Sequence, residues 1–405
     1  MKNGGFGVKR IRILAIAICL VLFNTSSTES GTFDSREMWG LLANAGFTGK
    51  PMKSAFFFTG SWRDGSQQYE FPAAANHQLY SIHPTDQRHL HWSDTAANRD
   101  CAIDRMVEAG VNVVNMSYWG ERGLDRWTKF APMQTSTYSH DELFDATIGR
   151  KILIAPYIES TPEWKFLDDF PGTSQRPCPG LVSQIKDLAD RYLKNPKNRA
   201  WSKKWARMYD RFGNERYIVS IIHVASNRQD VSDENFAAAF DRVAAQIFKE
   251  TGIQVGFTLD ILPPKTNAPG WYKATPDKTG PWLKRQASIL AIQCFIPEIW
   301  LGISDENKLI NWKRGFSKSW TLTGIPFIQD VSPGYDARNI FPKSVIYGNN
   351  TFWRNSQTKL INMLNAKGIT FNAWNGYTEG FAGVPTEEHG DANFVWAKEI
   401  FGMKE

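Results

Sequence analysis

Cysteine is scarce, with 4 in 405 residues, and none of the four forms a Cys-x-x-Cys pair, so a zinc ribbon or a dithiol redox centre is excluded. Cys19 falls in an amino-terminal apolar run. Cys101, Cys178 and Cys294 remain, an odd number that allows at most one internal disulfide. Cys294, inside the apolar run Ile289 to Ile296, is expected to be buried and inert. Phosphate-binding glycine loops are also missing, since neither GxGxxG nor GxxxxGK occurs. Charge of one sign is modest: of the net +6, half comes from Lys2, Lys9, Arg10 and Arg12 against Glu29. What is left is too small and too evenly spread for the basic footprint of a nucleic-acid binder.

No apolar run approaches the roughly 20 residues that cross a bilayer. The longest amino-terminal one, Ile11 to Phe23, is interrupted by Arg12, follows a basic segment and precedes small polar residues from Asn24 to Ser30. That order is the pattern of a secretory signal peptide over residues 1–30, cleaved between Thr25 and Gly31, with no stable membrane insertion afterwards. Ile18 is a poor neighbour for lipoprotein processing at Cys19. The chain is then expected in a secreted, extracellular or periplasmic setting. Of two glycosylation sequons, Asn115-Met-Ser lies in an expected strand, which leaves Asn349-Asn-Thr as the acceptor in a eukaryotic host.

What is present is an ordinary globular balance, 42% apolar and 22% charged, with 16 Trp, 12 Tyr and 26 Phe. So many flat amphipathic faces suit carbohydrate or another planar partner. After the leader, eight short apolar runs read as strands: Ala55 to Trp62, Val111 to Trp119, Lys151 to Glu159, Tyr217 to Ala225, Gln254 to Leu262, Ile289 to Ile296, Pro326 to Val331 and Ile369 to Trp374. Helical patterns separate them at Asn98 to Ala109, as a long pair across Leu181 to Phe212, and at Asp233 to Glu250, Trp282 to Ser288, Asn307 to Ser317 and Trp353 to Ala366; Ala392 to Phe401 closes the chain. Strands that are continuously apolar and alternate with helices imply a parallel sheet covered on both faces, and eight such units imply a closed (β/α)8 barrel over residues 31–405. Glycines in Glu108-Ala-Gly, Glu250-Thr-Gly and Ala366-Lys-Gly fit left-handed helix caps.

In such a barrel the chemistry sits at the carboxyl ends of the strands. The polar groups there are Trp62 with Arg63 and Asp64, Asn115 with Tyr118 and Trp119, Glu159, His223 with Asn227, Asp260, Glu298, Asp330 with Asp336, and Asn375 with Glu379. Any one of these carboxylates is more ordinarily a helix cap or an ion-pair partner. Loops of about 35 residues after the first strand and about 20 after the third are long enough to wall a cleft.

The last strand ends in Trp374-Asn-Gly-Tyr-Thr-Glu-Gly380, which resembles the Trp-Asn-Asp-Tyr-Gly-Glu-Ser pattern of the secreted fungal α-1,3-glucanases and the Asn-Glu-Trp-x-Glu-Gly pattern of the endo-α-mannosidase barrels. Ser332-Pro-Gly-Tyr-Asp-Ala-Arg338 is similar to the Pro-Gly-aromatic-Asp segment of the same clan, and Phe58-Thr-Gly-Ser-Trp62 to its early aromatic-Gly-Ser-Trp. The resemblance implies a glycosidase whose first carboxylate is Glu379, raised in pKa by burial against Trp374 and Tyr377. It also implies a second carboxylate three residues earlier, where this chain has Gly376. Either the partner comes from another strand end, with Glu159 foremost and Asp260, Asp330 and Asp336 behind it, or Glu379 is only a cap or ion-pair partner and the likeness reflects barrel architecture. Trp62, Tyr118, Trp119, Asp336, Trp374, Asn375 and Tyr377 are the expected sugar contacts. The rival reading is a lectin-like barrel that binds saccharide without cleaving it.

No organic cofactor is implied. His77, His83, His89 and His91, four of the 7 histidines, lie in the first long loop, and His89-Leu-His91 raises a metal-dependent barrel as a competitor. Such a site needs histidines from later strands. Only His223 is available, so a solvated or sugar-contacting loop is the expectation for the pair.

Overall fold

A computed structural model describes residues 35–59, 80–90, 92, 95–118, 137–159, 179–195, 199–224, 232–261, 274–339, 342–364 and 366–403. Met1–Asp34 and Ser35–Glu405 are separate units, and the first, with the expected leader, lies outside the described residues. Trp62, Trp119, His77, His91, Cys178 and Asn227 lie outside them too.

Eight barrel strands follow in order: β1 Met52–Phe57, β2 Val113–Tyr118, β3 Leu153–Ile158, β4 Glu215–Val224, β5 Val255–Ile261, β6 Ile289–Gln293, β7 Ile328–Val331 and β8 Gly368–Phe371. Each is parallel to its neighbours, and β8 pairs with both β7 and β1. The seam between β6 and β7 is the narrowest, a single bridge from Ile292 to Phe327 with the Ile292 N–H donating to Pro326 O at 2.9 Å. The chain is therefore a (β/α)8 barrel. Between strands lie α1 Ala96–Ala109, α2 Thr137–Thr147, α3 Pro179–Tyr192, α4 Asp233–Thr251, α5 Glu306–Thr321 and α6 Thr351–Leu364, with α7 Ala392–Gly402 at the end. No described helix is long and apolar enough to cross a membrane.

Period-two alternation divides each strand between two cores. Outward residues such as Phe57, Val114, Ile154, Val219 and Leu259 join the helices in the largest apolar cluster. Inward residues form layers along the barrel axis, as closure requires. Met52, Val113, Leu153, Ile218 and Ile328 fill the bottom, plugged by Leu42 and Met208. A polar layer follows: Asn115 Nδ2 donates to Ser54 Oγ and Thr370 Oγ1, both at 3.1 Å, and the Ser220 and Thr258 hydroxyls lie 2.6 Å apart. Above it Phe56, Phe58, Tyr157 and Ile222 form an aromatic and aliphatic layer, with Phe56 edge-on to Tyr157 and to Phe295.

Several expected boundaries move. β1 begins at Met52 rather than Ala55, because Lys53 and Ser54, polar as they are, pair with Asn112 and line the barrel interior. The helix pair across Leu181 to Phe212 is one helix, a four-residue turn at Arg199–Ser202, and a short strand Arg207–Tyr209 antiparallel to β4. Helix α2 was not anticipated, although His140, Leu143, Phe144 and Thr147 form a buried stripe at helical spacing. Gly110 and Gly252 cap α1 and α4 with φ of 92° and 73°, as expected. Gly368 does not cap: it starts β8, where a Cβ would stand 2.7 Å from Met52 O on the adjacent strand.

Candidate functional site

Carboxylates from β3, β5 and β7 meet at the upper end of the barrel. Glu159 stands one residue past β3, buried, its Oε1 accepting the Ser117 hydroxyl and its N–H donating to Tyr118 O at 2.8 Å. Asp260 points inward from β5, and its Oδ1 accepts the Phe295 N–H at 2.6 Å. Asp330, inward on β7, accepts Asn372 Nδ2, the Ile296 N–H at 3.4 Å, and Lys313 Nζ at 2.9 Å. Tyr157 lies among the three. Burial drives its phenol pKa well up, and the charges of Asp260, Glu159 and Asp330 drive it further, so the hydroxyl stays protonated.

Lys313 is the cation of this region, and the sequence reading missed it. It lies on the buried stripe Leu309, Lys313, Ser317, Trp320 of α5, and it is only 2% exposed. A lysine on the apolar face of an amphipathic helix was the available signal. Its ammonium donates to Glu298 Oε1 at 2.6 Å, to Asp330 and to Gln357 Oε1 at 3.2 Å. Burial disfavours the ammonium, but Asp330 and Glu298 outweigh that and hold its pKa above the ordinary lysine value. Glu298 moves the other way from a typical acid: burial raises its pKa, partly offset by Lys313 and reinforced by Asp330.

Several buried polar atoms here have no hydrogen-bond partner among the described residues: Tyr157 Oη, both amide atoms of Gln293, Asn372 Oδ1 and Glu298 Oε2. Gln293 is the register partner of Asp260 across β5 and β6. Buried groups of this kind are ordinarily hydrogen-bonded, so a cluster at the catalytic end of a barrel suits water or a hydroxyl-rich ligand.

The turn that carries Glu379 is built differently. Tyr377–Glu379 is one turn of 3-10 helix closed by Gly380 at φ 77°, packed so tightly that a Cβ would sit 2.7 Å from Asp336 N. Ser81 and Ile82 donate their N–H groups to Tyr377 O at 3.0 and 3.3 Å, and Asn349 Nδ2 reaches Gly380 O at 3.4 Å. Glu379 itself is partly exposed. Asn349 belongs to a short hairpin, Gly334–Asp336 with Ile346–Gly348, and its amide also accepts from Asn393 at 3.2 Å, so the expected glycan acceptor is engaged in packing. The hairpin's Asp336 holds Arg338 at 2.7 Å, and that guanidinium keeps the carboxyl below its usual range.

The structure packs three of the expected sugar contacts into the protein. Trp374 is 1% exposed, edge-on to Phe371 at 5.7 Å and covered by Gly383. Tyr377 is equally buried, 5.9 Å from the Tyr80 ring. Asn375 clamps backbone, its Oδ1 accepting the Phe58 N–H at 2.9 Å and its Nδ2 donating to Phe58 O at 3.0 Å, which continues the β8 to β1 ladder by side chain. Tyr118, buried beside His140 at 5.2 Å, is adjacent to Glu159. Gly376 is not an open gap: a Cβ would meet Phe381 Cδ2 at 2.9 Å and Phe58 Cε2 at 3.2 Å, so aromatic rings fill the space of the clan's second carboxylate.

Among the described residues one group has metal-ligand chemistry, Asp86, His89 and Cys101, with one ligand atom of each within 4.8 Å of the others. It includes His89; His91 lies outside the described residues. Cys294 is buried, with its thiol pKa pushed well up by burial, as its apolar run suggested. Both Cys101 and Cys294 are free thiols.

No family model and no curated protein sequence matches the chain. Solved structures do. A GH99 endo-α-mannosidase from Bacteroides thetaiotaomicron is similar over 87% of this chain and 95% of its own, with 15% identity and a TM-score of 0.56. A glycoside hydrolase-like protein covers 88% and 95% at 12% identity and 0.57. An endo-β-1,4-mannanase from Thermotoga petrophila covers 87% and 76% at 9% identity and 0.50. The fold is thus one that glycoside hydrolases use.

Proposed function

We propose that the protein is a secreted glycoside hydrolase acting on a poly- or oligosaccharide, with Glu379 as acid/base and Glu159 as the second carboxylate. The observation that carries this reading is the convergence of Glu159, Asp260 and Asp330 on Tyr157 at the carboxyl ends of the strands, beside polar atoms without a partner among the described residues. Glycoside hydrolysis needs one carboxyl to protonate the leaving oxygen and a second to attack the sugar or activate water. Glu159 suits the second role better than Asp260, because it stands past its strand while Asp260 lies within β5, fully buried and bound to the Phe295 N–H. The His140 ring, 3.1 Å from Ser117 O, supports from behind the serine that orients Glu159.

A second reading has its own support. Because Phe58 and Phe381 occupy the space beside Gly376, a barrel that binds sugar without cleaving it explains the same residues. The deciding experiment is a saccharide panel assayed for released reducing ends with wild type, Glu379→Gln and Glu159→Gln. Cleavage by wild type that drops by about 10²–10⁴-fold in each variant supports the hydrolase. Saccharide binding with no cleavage by any of the three establishes the lectin-like reading instead.

A further inference from the structure

We propose that Asp86, His89 and Cys101 form a binding site for a zinc-class divalent cation, separate from the proposed carbohydrate chemistry and independent of whether that reading holds. The ligands come from a compact piece of chain. Asp86 caps the 3-10 turn Gln87–His89, its Oδ1 accepting the Arg88 N–H at 3.0 Å, which places carboxylate and imidazole one turn apart. Cys101 approaches from α1, whose first turn is capped by Thr95. The sulfur lies 3.7 Å from Asp86 Oδ2 and 3.8 Å from His89 Nε2.

The two contacts of the sulfur are close to those of a coordination shell, and the three ligand atoms all lie within 4.8 Å of one another. Metal–sulfur bonds of about 2.3 Å and metal–nitrogen or metal–oxygen bonds of about 2.0 to 2.2 Å at a tetrahedral angle put neighbouring ligand atoms roughly 3.4 to 3.6 Å apart. The sulfur needs to move by only a few tenths of an ångström towards each partner. One thiolate, one imidazole and one carboxylate is a donor set that selects zinc over magnesium or calcium, which favour all-oxygen shells. His89 is buried and Cys101 half-buried, whereas the Asp86 side chain is 31% exposed, so the carboxylate is the side from which a cation can approach.

Arg88 is the group that opposes binding, since it holds both oxygens of Asp86, the shortest contact being 2.6 Å. Its side chain is 55% exposed, however, so water screens its charge and it can share the carboxylate. Arg105, which also faces this group, is paired with Glu108 at 2.7 Å. A divalent cation releases the thiol proton on binding, and the resulting thiolate together with Asp86 cancels its charge. The site is placed to matter mechanically. The segment containing Asp86 and His89 also sends Ser81 and Ile82 against Tyr377 O, so a bound cation would pin the first loop behind the turn that carries Glu379.

The test uses the full chain stripped with a chelator. Cobalt(II), the spectroscopic substitute for zinc, should bind at one equivalent with an intense near-ultraviolet thiolate charge-transfer band, and zinc should bleach that band and raise Tm by several degrees. Cys101→Ser should abolish the band and His89→Gln weaken binding. Should Cys101→Ser fold poorly, wild-type protein answers the same question: zinc should protect Cys101 from a maleimide, as read by peptide mapping. Absence of the band, a band that survives Cys101→Ser, or unaltered maleimide labelling of Cys101 overturns the site.

Discussion

Two arcs of the barrel mouth use polar residues in opposite ways. From β3 to β7, acids reach inward and are balanced by long-range partners: Ser117 for Glu159, the Phe295 amide for Asp260, and Lys313 for Glu298 and Asp330. From β8 to β1, where the likeness to known glycosidases is strongest in sequence, polar side chains hold the backbone and aromatic rings fill the volume, as Asn375 on Phe58 and the rings around Gly376 show. The motif that carries Glu379 and the inward-facing acids therefore lie on different arcs. Asn375 commits one oxygen lone pair and one N–H to the Phe58 backbone, whereas Glu298 Oε2 on the other arc has no hydrogen-bond partner among the described residues.

The contrast can be broken hardest at Lys313. Lys313→Met leaves Glu298 and Asp330 buried without their cation and should cost about 3–5 kcal/mol, read from urea unfolding. Next comes pH. His140 is buried, and desolvation lowers its pKa from 6.5 to about 4 despite the bond to Ser117 O. Because the folded value is the lower one, the unfolded chain takes the proton first: there is no effect above pH 6.5, and a penalty on the order of 3 kcal/mol accumulates as pH falls towards 4. Thermal melts at pH 7 and 4.5 should show a slope that shrinks in His140→Gln.

On the opposite arc, restoring the clan's acid as Gly376→Glu should overpack Phe58 and Phe381, costing about 1–3 kcal/mol with no gain in any saccharide cleavage. An increase in activity there would show that the two arcs are interchangeable. The smallest effect is expected at Glu379→Gln. Partly exposed on its turn, Glu379→Gln should alter stability less than the changes above while lowering turnover by about 10²–10⁴-fold, which separates a reactive carboxyl from a structural one.

Much of the architecture was legible along the chain. All eight strands were located, since continuous apolar runs between glycine turns are a local signal. So were the strand-end acids Glu159, Asp260, Glu298 and Asp330. Helix α2 was legible in principle, from the stripe of His140, Leu143, Phe144 and Thr147. The roles of Trp374, Asn375 and Tyr377 were not, because a tryptophan or an asparagine after a strand reads the same whether it faces a ligand or the core.

What the amino-acid sequence determined by itself is the alternation of strands and helices, hence the barrel, and the set of acids at the carboxyl ends of its strands. Those features depend on periodicity among residues a few positions apart. Tertiary structure alone decided which of these groups answer one another. Asn375 finds Phe58 across 317 positions and Asn115 finds Thr370 across 255, and only closure of the sheet brings such pairs within hydrogen-bond reach. The same closure filled the space beside Gly376 with two rings and left the acids of β3, β5 and β7 facing Tyr157, because the available volume and the neighbouring charges are properties of the closed barrel.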